Sequence, residues 1–207
     1  PDTQAVSLTV HGAGTVNTFV SFLGEGVVHL LVGLDHLLFL LVLVIPVSLS
    51  RSGTLRSRIW GLTGVVTAFT LAHSITLALA ALKWVSLPID WVETVIALSI
   101  TIAAINIRWP ILGPKTWKLA FAFGLIHGFG FASVLAELTS GTSQQVVALA
   151  GFNLGVELGQ LLVLLAVFPL LYLAARYTWY RRALVPAMVV SVCGISLFWM
   201  VQRLPVL

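Results

Sequence analysis

Residues 20–46 read VSFLGEGVVHLLVGLDHLLFLLVLVIP. The stretch is long enough to cross the roughly 30 Å hydrocarbon core of a bilayer, which takes about 20 apolar residues. Yet Glu25, His29, Asp35 and His36 stand inside it. A charge at the centre of a membrane helix costs roughly 2.5–3.5 kcal/mol on insertion scales, so intramembrane ionisable groups point to a function. The whole chain has the same character. Of its 207 residues 59% are hydrophobic and 9% charged, and the mean hydropathy is +1.06. Soluble domains carry about 25% charged residues. The composition is that of an integral membrane protein.

Five more segments meet the same length criterion: 58–82, 88–108, 117–138, 145–174 and 183–203. Polar punctuation separates them, as in RSGTLRSR, KWVSLP, RWPILGPK, TSGTSQQ and RYTWYRR. No connection is long enough to divide the chain into two domains. The reading is therefore an all-α, polytopic membrane protein, a six-transmembrane-helix bundle over residues 20–207. Residues 1–19 are read as the extracytoplasmic tail of an upstream segment, because PDTQAVSLTVHGAGTV has neither a basic start nor an apolar signal core.

The basic residues set the orientation. Arg51, Arg56, Arg58, Arg108, Lys115, Lys118, Arg176, Arg181 and Arg182 fall in loops one, three and five, against Lys83 and Arg203 on the other side. Nine against two puts those loops in the cytoplasm and both termini outside. Trp60, Trp84, Trp91, Trp109, Trp117 and Trp179 mark helix ends, as an interfacial belt requires. The sequence pI is about 9.7, but the cations are too scattered for a nucleic-acid patch, and the partner they imply is the lipid bilayer. The lone Cys193 rules out an intrachain disulfide and a cysteine metal site.

At 1.5 Å rise per residue, depth follows from sequence position. From the outer surface, Glu93 lies about 8 Å deep and His29 about 10 Å. Asn153 and His73 come at roughly 12–13 Å, His127 at about 16 Å, Glu157 at about 18 Å and His36 at about 21 Å. Polar groups from five helices thus share one slab. On a continuous first helix His29 and His36 share a face, with Gly33 between them, while Asp35 points about 100° away. In GFNLGVELGQ, Asn153, Glu157 and Gln160 form a stripe opposite Gly151, Gly155 and Gly159. The glycines read as a packing face, so the stripe faces the bundle. Gly124 and Gly128 flank His127 in the same way. Thr70, Ser74 and Thr76 are expected to bond backbone carbonyls. Glu25, Asp90 and Glu137 lie near the outer interface, and His11 belongs to the surface of the tail.

Imidazoles with carboxylates suit nickel, cobalt, zinc, iron or manganese rather than calcium or magnesium. The same groups can relay protons.

HLLVGLDH, residues 29–36, resembles the His-Pro-x-x-Gly-x-Asp-His signature of the HupE/UreJ family, with Leu30 where the signature has proline. FTLAHSITLALA, VETVIALSI, FGLIHGFGFASVL and GFNLGVELGQ are similar to a HupE/UreJ-like branch whose members often carry an extracytoplasmic domain before the helices. The resemblance covers about residues 22–203. It implies a nickel or cobalt permease of the bacterial inner membrane, with the metal-binding role falling on His29, Asp35 and His36. The depth argument adds His73, His127 and Glu157 as ligands, and Glu93 and Asn153 as residues that orient them. The implied cargo is a divalent transition metal ion, nickel, cobalt or zinc. Two other functions stay open: a zinc-dependent intramembrane hydrolase, with three histidines holding a metal-bound water, and a metal-sensing membrane anchor for an upstream domain.

Overall fold

The structure, a computed structural model, describes residues 14–50, 53–110, 116–131, 135 and 144–205. The ordered elements there are helices. They are α1 Thr15–Val32, α2 Leu34–Leu49, α3 Leu55–Ala81, α4 Ile89–Arg108, α5 Thr116–Gly130, α6 Gln145–Ala174 and α7 Val185–Arg203, the last entered through a π-helical turn at Tyr180–Leu184. Among the described residues five helices are long and apolar enough to cross a membrane: α1, α3, α4, α6 and α7 with its π turn. α2 is apolar but has 16 residues. Val20, Leu71, Leu165, Val190 and Phe198 are exposed on the outside of the bundle, a surface that suits hydrocarbon rather than water. The architecture is that of a multi-pass membrane protein. His11 and Glu137 lie outside the described residues.

The first expected span departs from a continuous helix. It is broken at Gly33, with φ −71° and ψ 92°. The Gly33 N–H still donates to the His29 carbonyl at 2.9 Å, and the Leu37 N–H to the Gly33 carbonyl at 3.1 Å. The interruption is therefore a one-residue joint and not a reversal. α1 and α2 follow α6 end to end: Phe19 lies by Gly151, Leu23 by Gly155 and Leu30 by Gly159. Leu40 and Val44 then pack with Leu164 and Phe168, and Ile45 with Ala175. The reason for the break is local. A Cβ on residue 33 would stand 2.8 Å from the His29 carbonyl oxygen and 2.9 Å from His36 Nδ1. Only glycine lets the backbone turn there with the ring folded against it. The straight-helix facing of His29 and His36 is thus replaced by a bent one. α1 also begins at Thr15, inside the expected tail.

Three helix pairs dominate the packing: α1 with α6, α3 with α5, and α4 with α7. Small residues draw the first two together. Gly155 faces the Leu23 carbonyl and the Gly26 Cα, and a side chain on Gly128 would fall on Thr76 and the His73 carbonyl. In both pairs the helices run parallel. α4 and α7 run antiparallel, joined by Thr94 Oγ1 donating to the Arg203 carbonyl at 2.8 Å and by Thr101 and Ser196 hydroxyls 2.7 Å apart. At the opposite end Ser48 Oγ lies 3.0 Å from the Tyr180 hydroxyl and ties α2 to the π turn.

Candidate functional site

The joint at Gly33 puts His29 in the last turn of α1 and His36 in the first turn of α2. α3 contributes His73 and the end of α5 contributes His127. The four imidazoles gather around His36: its ring centroid is 4.9 Å from that of His29, 5.5 Å from His127 and 6.0 Å from His73. His36, His73 and His127 are buried.

Phenylalanines close the cluster on the side of the α2–α3 connection. Phe39, Phe69 and Phe123 each precede or follow a histidine by about one turn. Phe69 lies 5.3 Å from His127 and 6.0 Å from His73, Phe39 lies 5.2 Å from Phe69, and Phe123 lies 5.6 Å from Phe39. On the other side a cavity of about 120 Å³ is lined by His29, Asp35, His36, Glu93, His127 and Phe131, whose ring packs 4.2 Å from that of His29. His73 stands behind His36 and does not line it.

The hydrogen bonding of the rings is incomplete. His127 Nε2 lies 3.1 Å from Ser99 Oγ. His29 Nε2, both nitrogens of His36, both of His73, and His127 Nδ1 are buried with no hydrogen-bond partner. A buried polar group left unpaired costs roughly 1–3 kcal/mol, and six such atoms in one place require a common explanation. Two imidazoles bound to one ion at 2.0–2.1 Å have centroids about 5 Å apart, so the ring spacing fits a shared cation. The nitrogens themselves do not yet converge: among the described residues no three His, Cys, Asp or Glu side chains are set as a ligand group.

The remaining expected residues separate from the imidazoles in different ways. Asp35 lines the cavity but turns Oδ2 to Arg203 Nη1, 3.1 Å away, and leaves Oδ1 buried without a partner. Glu93 Oε2 lies 3.6 Å from Arg203 Nε. Glu157 lies in the seam between α6 and α3, where it accepts a hydrogen bond from Thr67 at 2.8 Å; Gln160 accepts one from Thr70 at 2.7 Å. Asn153 donates to the Leu149 carbonyl of its own helix at 2.9 Å. The structure does not bring Glu157 or Asn153 to the cavity. Thr70, Ser74 and Thr76 do bond carbonyls one turn back, as expected.

Sequence reasoning missed two residues of the site. Ser99 reads as one small polar residue in VETVIALSI, and nothing in its spacing marks it. Arg203 reads as a boundary charge, although its position on the same face as Trp199, whose ring its guanidinium covers at 5.2 Å, offered a signal.

Compared with known proteins, residues 5–203 match the model of the family described as HupE / UreJ protein. No curated protein and no solved structure matches the chain.

Proposed function

The chain belongs to the HupE/UreJ family, and from that membership we propose that it is a membrane permease for a divalent transition metal, nickel or cobalt, that binds its cargo at the imidazole cluster. One observation carries the reading: four histidines from four helices meet inside an apolar bundle with six ring nitrogens unpaired. Neutral imidazole is a borderline donor that suits nickel and cobalt. His29, His36 and His127 offer nitrogens around the cavity, with Asp35 as the carboxylate beside them.

In this reading the bundle makes six passes, with α1 and α2 sharing the first, and lies in a bacterial inner membrane. Both termini are extracytoplasmic by the distribution of Lys and Arg. The cavity then opens outward and the phenylalanines seal the cytoplasmic side, the arrangement of a carrier waiting for cargo. That aromatic seal also favours a second reading, a zinc-dependent hydrolase whose site is a dead end.

Proteoliposomes of the chain separate the two. Uptake of external Ni²⁺ or Co²⁺, lost in His36→Ala, is expected for the permease. Negligible flux in both proteins, with one zinc tightly retained per wild-type chain, would leave the hydrolase standing.

A further inference from the structure

Arg203 is the last residue of α7, and its guanidinium reaches back to two carboxylates that line the cavity. It meets a carboxylate from α2 and another from α4: Asp35 at 3.1 Å and Glu93 at 3.6 Å. Both acids line the cavity that also holds the imidazoles. The guanidinium therefore occupies the two carboxylates that line the cavity.

We propose that Arg203 is a tethered counter-cation that holds Asp35 and Glu93 until a divalent metal displaces it. The inference rests on the metal-binding reading of the cluster. Two neighbouring carboxylates repel each other, and the guanidinium neutralises one of the two charges while no cargo is bound. When the metal arrives, a positive charge already in place repels it, so entry requires exchange.

The attachment of Arg203 is suited to such an exchange. Its backbone is fixed, with the carbonyl accepting from Thr94 at 2.8 Å. Its side chain is 24% exposed at the end of the bundle, beside side chains of Asp35 and Glu93 that are 23% and 44% exposed. Ion pairs of this exposure are weak, and the long stem lets the charged head swing to water without moving α7. Asp35 is left with a second oxygen, Oδ1, that is buried and unpaired. Arg203 sets how strongly the mouth attracts cations, and is a specificity-determining residue that touches no cargo.

The test is equilibrium binding of Co²⁺ to the purified full chain, comparing wild type with Arg203→Gln and Arg203→Lys. Removing the guanidinium is expected to tighten Co²⁺ binding about three- to fivefold, the upper part of what a partly exposed ion pair is worth. Arg203→Lys should stay within about twofold of wild type. If Arg203→Gln does not fold, Arg203→Met keeps the aliphatic stem against Trp199 and is measured instead. Equal affinity in all proteins, or weaker binding in the folded neutral variant, overturns the counter-cation while leaving the metal site intact. Binding of Co²⁺ by neither wild type nor the neutral variant overturns the metal reading and this inference with it. Binding only by the neutral variant supports the inference in its strongest form.

Discussion

The rings of His29 and His36 stand 4.9 Å apart, although seven residues of unbroken helix would raise one about 10.5 Å above the other. The joint at Gly33 closes that distance. It ends α1 on the His29 carbonyl and starts α2 with the Gly33 carbonyl as its first acceptor, so His36 folds back towards His29.

Gly33→Ala tests the joint directly. The added Cβ would meet the His29 carbonyl and the His36 ring, and small-to-large changes at such contacts cost roughly 1–3 kcal/mol. Co²⁺ affinity is expected to fall about tenfold or more, with helix content by circular dichroism unchanged. Unaltered affinity would show that the ring position is not set by the glycine.

His73 should cost the metal-free fold stability. Both of its nitrogens are buried and unpaired, so His73→Leu removes two uncompensated polar atoms at nearly constant volume. In metal-free protein the variant is expected to be more stable by about 1–3 kcal/mol. It should keep most of the stabilisation that added Co²⁺ gives the wild type, because His29, His36 and His127, and not His73, line the cavity. Thermal unfolding with and without Co²⁺ reads both effects, and destabilisation of the metal-free variant would contradict the account.

Glu157→Gln asks whether the carboxylate has a role beyond the seam. Glutamine keeps an oxygen that accepts from Thr67, so Ni²⁺ uptake should remain within about twofold of wild type if Glu157 acts as interhelical glue. Abolished uptake in a folded variant would instead make it a ligand or proton acceptor, as its depth suggested.

Gly155→Val addresses the packing. The new side chain would land on the Leu23 carbonyl and against Gly26, where no flexible group can yield. Loss of at least about 2 kcal/mol is expected, read as a lower melting temperature and a smaller folded yield in detergent. A normal melting curve would mean that α1 and α6 can separate cheaply.

The helices were legible because membrane spans are written in long apolar runs. α6 begins and ends at residues 145 and 174 as read, and α4 starts within one residue of the expected place. The meeting of His29, His36, His73 and His127 was legible too, since a fixed helical rise turns sequence position into depth. The break at Gly33 was not. The apolar run continues unbroken across it, and a single glycine is common in membrane helices. Depth alone does not give facing: Glu157 shares the slab, and its stripe faces Thr67 and Thr70 of α3. The pairing of Arg203 with Asp35 escaped because depth arguments follow the Cα, and an arginine head lies several bonds away from its own.

The glycine-lined pairs divide the histidines among separate bodies. His29 belongs to the α1–α6 pair, His73 and His127 to the α3–α5 pair, and His36 lies between them beyond the joint at Gly33. Within each pair the backbones touch, so neither helix slides on its mate without collision. Between pairs, side chains form the contact. A shift of one pair past the other by a single helical turn, about 5.4 Å, would therefore take the four rings out of reach of one another.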